Sequence, residues 1–127
     1  MTLQQMTPEE FIIKIRQVVY ESAINGTLSV IQKPPGRRPP ENLVVLSQWF
    51  MQLPDTDKKI FQRAIALAAH QATFAMLAVL DGVRQIDEAP LKGTLELRHI
   101  KSGQSVLLNA PNSDHLHDLF NQHVAPF

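Results

Sequence analysis

Polar and apolar positions follow helical spacing through the N-terminal part of this chain and strand spacing only briefly after it. Glu10, Lys14, Gln17, Glu21 and Asn25 recur three and four residues apart and make one polar stripe. Phe11, Ile12, Ile15, Val18, Val19 and Ala23 fall on the other side, the pattern of an amphipathic helix with a core-facing stripe. Thr7-Pro8-Glu9-Glu10 supplies its start: a capping hydroxyl, a proline at the first helical position and a glutamate placed to close a capping box. Asn25-Gly26 predicts a left-handed stop, and the alternation over residues 27–31 predicts a short strand beyond it.

Pro34-Pro35-Gly36-Arg37-Arg38-Pro39-Pro40 excludes both helix and central strand, so a stiff surface loop follows. A second helix is predicted over 42–52, with Leu43, Leu46, Trp49, Phe50 and Leu53 as its apolar set and Pro54 as its stop. A third, starting near Asp57 with Asp55 or Thr56 as cap, runs to about Leu80 and is expected to be the central element. One of its stripes holds Lys59, Arg63, Ala66, His70, Thr73, Leu77, Asp81 and Arg84; another holds Phe61, Ile65, Ala68, Ala72, Met76 and Val79. Its alanines would let neighbouring helices approach closely. Gly82 ends the pattern, and residues 87–90 read as a connection. Residues 94–100 and 105–109 then make a hairpin around Lys101-Ser102-Gly103-Gln104, and a capped last helix buries Leu116, Leu119 and Phe120. A lone hairpin is marginal in water, so its faces must pack on the helices and its edges need a partner. Residues 27–31, or a second copy of the chain, are the candidates. The expected fold class is α+β: three N-terminal helices, a small antiparallel hairpin or three-stranded sheet, and a short C-terminal helix, all in a single domain over residues 1–127.

Composition narrows the classes of function. The 127 residues are 44% hydrophobic and 19% charged, which describes a globular chain with a real core. There is no cysteine, so disulfides, thiolate metal sites and cysteine nucleophiles are excluded. Twelve basic residues balance twelve acidic ones, which gives no support to nucleic-acid binding, where clustered Lys and Arg carry much of the affinity. The first residues lack a basic region followed by an apolar run, so no signal peptide is read there. Ala64 to Leu80 is free of charge but holds His70, Gln71 and Thr73 and falls short of about 20 apolar residues, so it is read as a buried helix of a soluble protein and not as a membrane span.

The candidate chemistry is thin. Asp114-His115-Leu116-His117-Asp118 resembles a ligand cluster in linear order, but residues two apart on a helix point to different faces. His115 and His117 are therefore not expected to share a tetrahedral ion, and no metal site is expected. His70 has Asp81 on its own stripe, but eleven residues on, about 16 Å along the axis and beyond direct pairing. It is read as a surface or boundary residue. Asp81 beside Gly82 reads as part of a helix end, and Asp87-Glu88 beside Pro90 as solvated loop carboxylates. The serines form no Gly-x-Ser-x-Gly elbow and the five glycines no phosphate-binding loop. Arg37 and Arg38, two guanidinium forks on a stiff backbone, are the best candidates for partner binding. Trp49 is a candidate interface anchor as well as a candidate core residue.

Leu80-Asp81-Gly82-Val83-Arg84 and Leu116-His117-Asp118-Leu119-Phe120 resemble segments of a family of small bacterial proteins of unknown function. Some similar small domains are encoded near toxin systems as immunity or accessory proteins. The resemblance implies a stand-alone bacterial cytosolic protein and carries over no catalytic or binding residue. The expected function is accordingly a non-catalytic protein-interaction protein, immunity-type or regulatory, cytoplasmic, without cofactor, and binding a protein partner or a second copy. Enzyme activity is disfavoured without being excluded. The alternative is a small-molecule-binding protein or minor enzyme with a pocket between the third helix and the sheet, near His70 or His99.

Overall fold

In the computed structural model, which describes residues 5–88 and 92–124, the first helix begins where the sequence predicts. Thr7 accepts a hydrogen bond from the Glu10 amide at 3.1 Å, and Pro8 opens α1 (Pro8–Ile15). The chain stays helical well past the predicted stop. A π-helical segment (Arg16–Glu21) leads straight into α2 (Ser22–Gln32), so residues 27–31 are helix and add no third strand. Gly26 thus sits inside a helix, at a cost of about 1 kcal/mol relative to alanine. Burial of Ile31 beyond it accompanies this override of the local stop signal. The π segment spends an extra residue per turn and rotates the face that follows. Ile12 is fully buried, yet Val18 and Val19 are exposed, and Tyr20 turns inward in their place.

Lys33 leaves the α region at φ −145° and ψ 89°, as a residue before proline prefers, and the proline loop leads to α3 (Glu41–Met51). The predicted third helix is α4 (Asp55–Leu80), which starts directly after Pro54 with no side-chain cap. Its buried residues are His70, Leu77 and Ala78, so the stripe with the polar members faces the core while Ala68, Ala72 and Met76 are exposed. Among the described residues α4 is long and apolar enough to cross a bilayer by length and composition, and 22% of its most apolar window is buried. It is less buried than its sequence suggests.

The α4 terminus fixes the site described below. Asp81 is the C-cap and Gly82 follows in the left-handed region at φ +78°. The Gly82 amide donates to Val79 O and the Val83 amide to Ala78 O, both at 3.1 Å, which is the Schellman pattern. Ala89, Pro90 and Leu91 lie outside the described residues, so the predicted connection over 87–90 is seen in part. β1 (Arg98–Lys101) and β2 (Gln104–Leu107) then pair antiparallel with His99 opposite Val106. Ser102 and Gly103, at φ +52° and +76°, make the two-residue turn such strands favour.

Asn109 ties this hairpin to α4. Its Nδ2 donates to Leu80 O at 2.6 Å and to Leu95 O at 2.8 Å, and its Oδ1 accepts from the Leu97 amide at 2.9 Å. α5 (Leu116–His123) lays Leu116, Leu119 and Phe120 against Ile12 and Leu77, with Val124 closing the cluster. Full burial of side chains of this size stabilises the fold by about 1.5–3 kcal/mol each. The main core therefore lies where α1, the end of α4 and α5 meet. The architecture is α+β, with several N-terminal helices, a two-stranded antiparallel sheet and a short C-terminal helix.

Candidate metal centre

At the junction of α4 and α5, Asp81, His115 and His117 each bring a ligand-capable atom within 4.8 Å of the other two. Two local structures produce this convergence. The Schellman turn fixes Asp81 at the last turn of α4, and packing of Leu116, Leu119 and Phe120 sets the N-terminus of α5 against it. The Asp81 side chain is only 2% exposed and that of His117 13%. Asp81 Oδ2 accepts from the His117 backbone amide at 2.8 Å and lies 2.6 Å from His117 Nδ1. A carboxylate only accepts, so the imidazole carries its proton on Nδ1 and turns Nε2 outward.

Asp81 thus serves α5 as an N-terminal cap from another element. It satisfies an amide that the helix cannot and places negative charge at the positive end of the dipole. The sequence predicts a capped last helix without placing the cap on another element. In the structure His115 occupies the N-cap position, and its own side chain makes no capping bond.

The reason for expecting no metal site fails at the same residue. His115 has φ −69° and ψ 140°, an extended conformation outside α5, so the rule separating residues two apart on a helix does not apply. The rings of His115 and His117 lie 5.3 Å apart, centroid to centroid. Two imidazoles bound to one tetrahedral ion at about 2.0–2.1 Å would place their centroids about 5 Å apart. Phe74 packs edge-on against His117 at 5.4 Å and walls the inner side. Asp118 Oδ1 stands 3.3 Å from His117 Nε2 on the outer side, and its side chain is 64% exposed.

The residues singled out from the sequence lie elsewhere. Arg37 and Arg38 are exposed on the proline loop. Trp49 is 49% exposed and edge-on to Phe61 at 5.1 Å, so it is neither fully core nor wholly free. His70 is 7% exposed, a core residue and not a boundary one. It sits among Tyr20, Phe74 and Phe120, and its Nε2 has no hydrogen-bond partner among the described residues. His99 is half-buried on β1, and neither it nor His70 belongs to the Asp81 cluster. An open apolar groove of about 280 Å³ does run between α1 and α4, lined by Phe11, Ile15, Met76 and Leu80 and reaching Leu97 before the hairpin. It contains no histidine.

Comparison of the chain with protein-family models, with curated proteins and with solved structures finds no match. The site is therefore read from its own geometry. That geometry corrects the expected function. A non-catalytic interaction protein was inferred from the absence of assembled polar chemistry, and the half-buried Asp81–His115–His117 group is such an assembly. The ligand-binding alternative fits better, with its site at the α4–α5 junction and built on His115 and His117.

Proposed function

We propose that the protein binds a divalent transition-metal ion at the α4–α5 junction, through the His115–His117 pair beside buried Asp81, and presents that ion to water or a small ligand. The observation that carries this reading is the convergence within 4.8 Å of Asp81 with a histidine pair more than thirty residues further along the chain. Imidazole and carboxylate donors without sulfur suit zinc and its neighbours in the first transition row. Few protein donors leave a coordination position open, as in sites that act on a bound molecule and unlike closed structural sites.

Thermal unfolding of the full chain tests this reading, since an ion that binds only the native state raises the melting temperature. With zinc about a hundredfold above its dissociation constant the gain is about 2.7 kcal/mol. The wild type is expected to melt higher in zinc than in chelator, and His115→Ala with His117→Ala is expected to lose the difference. Equal melting of the wild type in zinc and chelator would count against the site.

A further inference from the structure

We propose that the exposed face of α4 docks a second copy of this chain, as an antiparallel pair of α4 helices about a two-fold axis at Ala68. The proposal is independent of the metal site, none of whose residues lies on this face. Ile60, Leu67 and Met76 are 62%, 46% and 58% exposed, and Ala64, Ala68, Gln71 and Ala72 between them are exposed as well. No charge interrupts the helix from Ala64 to Leu80. Exposed hydrophobics scattered singly are ordinary, whereas a contiguous uncharged patch marks a contact surface. α2 and α5 pack on other sides of α4, so among the described residues this row is left uncovered. Two open apolar grooves widen it. One of about 290 Å³ brings Trp49 and Leu53 beside Ile60 and Ala64. The groove between α1 and α4 brings Phe11 and Val19 beside Ala72 and Met76.

The order of residues indicates what covers the face. Ile60, Ala64, Ala68, Ala72 and Met76 form one row spaced by four that reads alike in both directions, a large apolar residue at each end and alanines between. A two-fold interface needs a surface complementary to itself, with residue i on j and j on i. With the axis at Ala68, Ala64 of each copy falls opposite Ala72 of the other, and Ile60 falls toward Met76. Rows of this spacing interdigitate at about −50°, and alanines at the crossing let the axes approach to about 8 Å. Charge selects the antiparallel direction. A parallel pair would set Asp57, Lys59 and Arg63 against their own copies, and juxtaposed like charges are costly. The antiparallel pair sets them at the level of uncharged Val79, Leu77 and Thr73. Area sets the strength. The row is about 24 Å long, so α4 alone offers roughly 250 Å² per copy. A neighbouring groove at each end brings this to roughly 500 Å². The pair then buries about 1,000 Å², the lower limit of a specific interface. A reversible dimer in the micromolar range follows, not an obligate one. A lipid surface suits the row less well, since its alanines offer little apolar area and Gln71 lies near its middle.

The test is sedimentation velocity of the full chain across the micromolar range, with chelator present throughout so that the metal site plays no part. The mass should double from monomer to dimer as concentration rises. Ala68→Glu, a change at an exposed helix position, should keep the wild-type circular dichroism and stay monomeric. The chain has no cysteine, so introduced single cysteines report the geometry. Ala68→Cys should form a disulfide with its own copy under mild oxidation, since the crossing brings the two Cα atoms within disulfide reach. Ala64→Cys and Ala72→Cys should cross-link when mixed and little when alone. A wild type that stays monomeric throughout, or an Ala68→Glu variant that still dimerises, overturns the proposal. Self-linking of Ala64→Cys in place of the mixed product overturns the antiparallel arrangement. A monomeric wild type that floats with phosphatidylcholine–phosphatidylglycerol vesicles, and loses this in Ala68→Glu, overturns it in favour of a membrane surface.

Discussion

Tyr20 is the chain's single tyrosine, and its phenol is half-buried beside His70 and Phe120, edge-on to both rings. Burial raises its pKa above the ordinary 10.0, and the charge of Glu21 beside it adds to the rise. The neutral phenol is thus favoured by folding. Its contribution to stability is complete below the unfolded value and is lost as pH climbs through the folded one. An absorbance titration of tyrosinate should therefore reach its midpoint above 10.0 in the folded protein and move down to that value in denaturant. A folded midpoint at or below the denatured one would contradict the packing described for this ring.

The same scale shows what single residues reveal in a sequence and what they conceal. The cluster around His115 and His117 is plain in linear order, and the geometric rule that dismissed it holds only inside a helix. One backbone conformation, the extended N-cap at His115, reverses the conclusion. Asp81 is harder to foresee. Beside Gly82 it reads as a helix end, and the burial of its side chain arises only once α5 docks on it. His70 is harder still: a core histidine with an unpartnered Nε2 carries no local signature.

Among the elements, those specified by local chemistry are legible. The Thr7–Glu10 start, the proline loop, the Gly82 stop and the Ser102–Gly103 turn each follow from a side chain or a φ angle that few other residues supply. Those decided by packing are not. Asn25-Gly26 is a fair local stop, yet the helix continues to Gln32 with Ile31 buried near its end. The π segment, with the Ser22 hydroxyl donating to Gln17 O at 3.1 Å, shifts the buried face in a way no fixed period anticipates. Asn109 illustrates the same limit. In sequence it ends an apolar strand, and in the structure it holds three backbone groups that join α4 to the hairpin. Asn109→Ala should destabilise the protein by about 1–3 kcal/mol through the polar groups it leaves unpaired. Chemical denaturation checks this, and an unchanged midpoint would show that water replaces the side chain at no cost.

At the scale of the whole molecule, the core and the site share one end. The side chains that bury Leu116, Leu119 and Phe120 against Ile12 and Leu77 are the ones that bring α5 to the tip of α4. A cap, two histidines and an acidic flank therefore come together as a consequence of core packing. Composition could not show this, because balanced charge and absent cysteine are compatible with both a bare interaction surface and a nitrogen–oxygen metal site. The most direct test of the account is an equilibrium titration of the full chain with zinc against a chromophoric chelator, at neutral and at mildly acid pH. The account predicts saturation at one ion per chain, with affinity falling on acidification as protons compete for the imidazole nitrogens. The absence of saturable uptake, or uptake unchanged when His115 and His117 are both alanine, would contradict it.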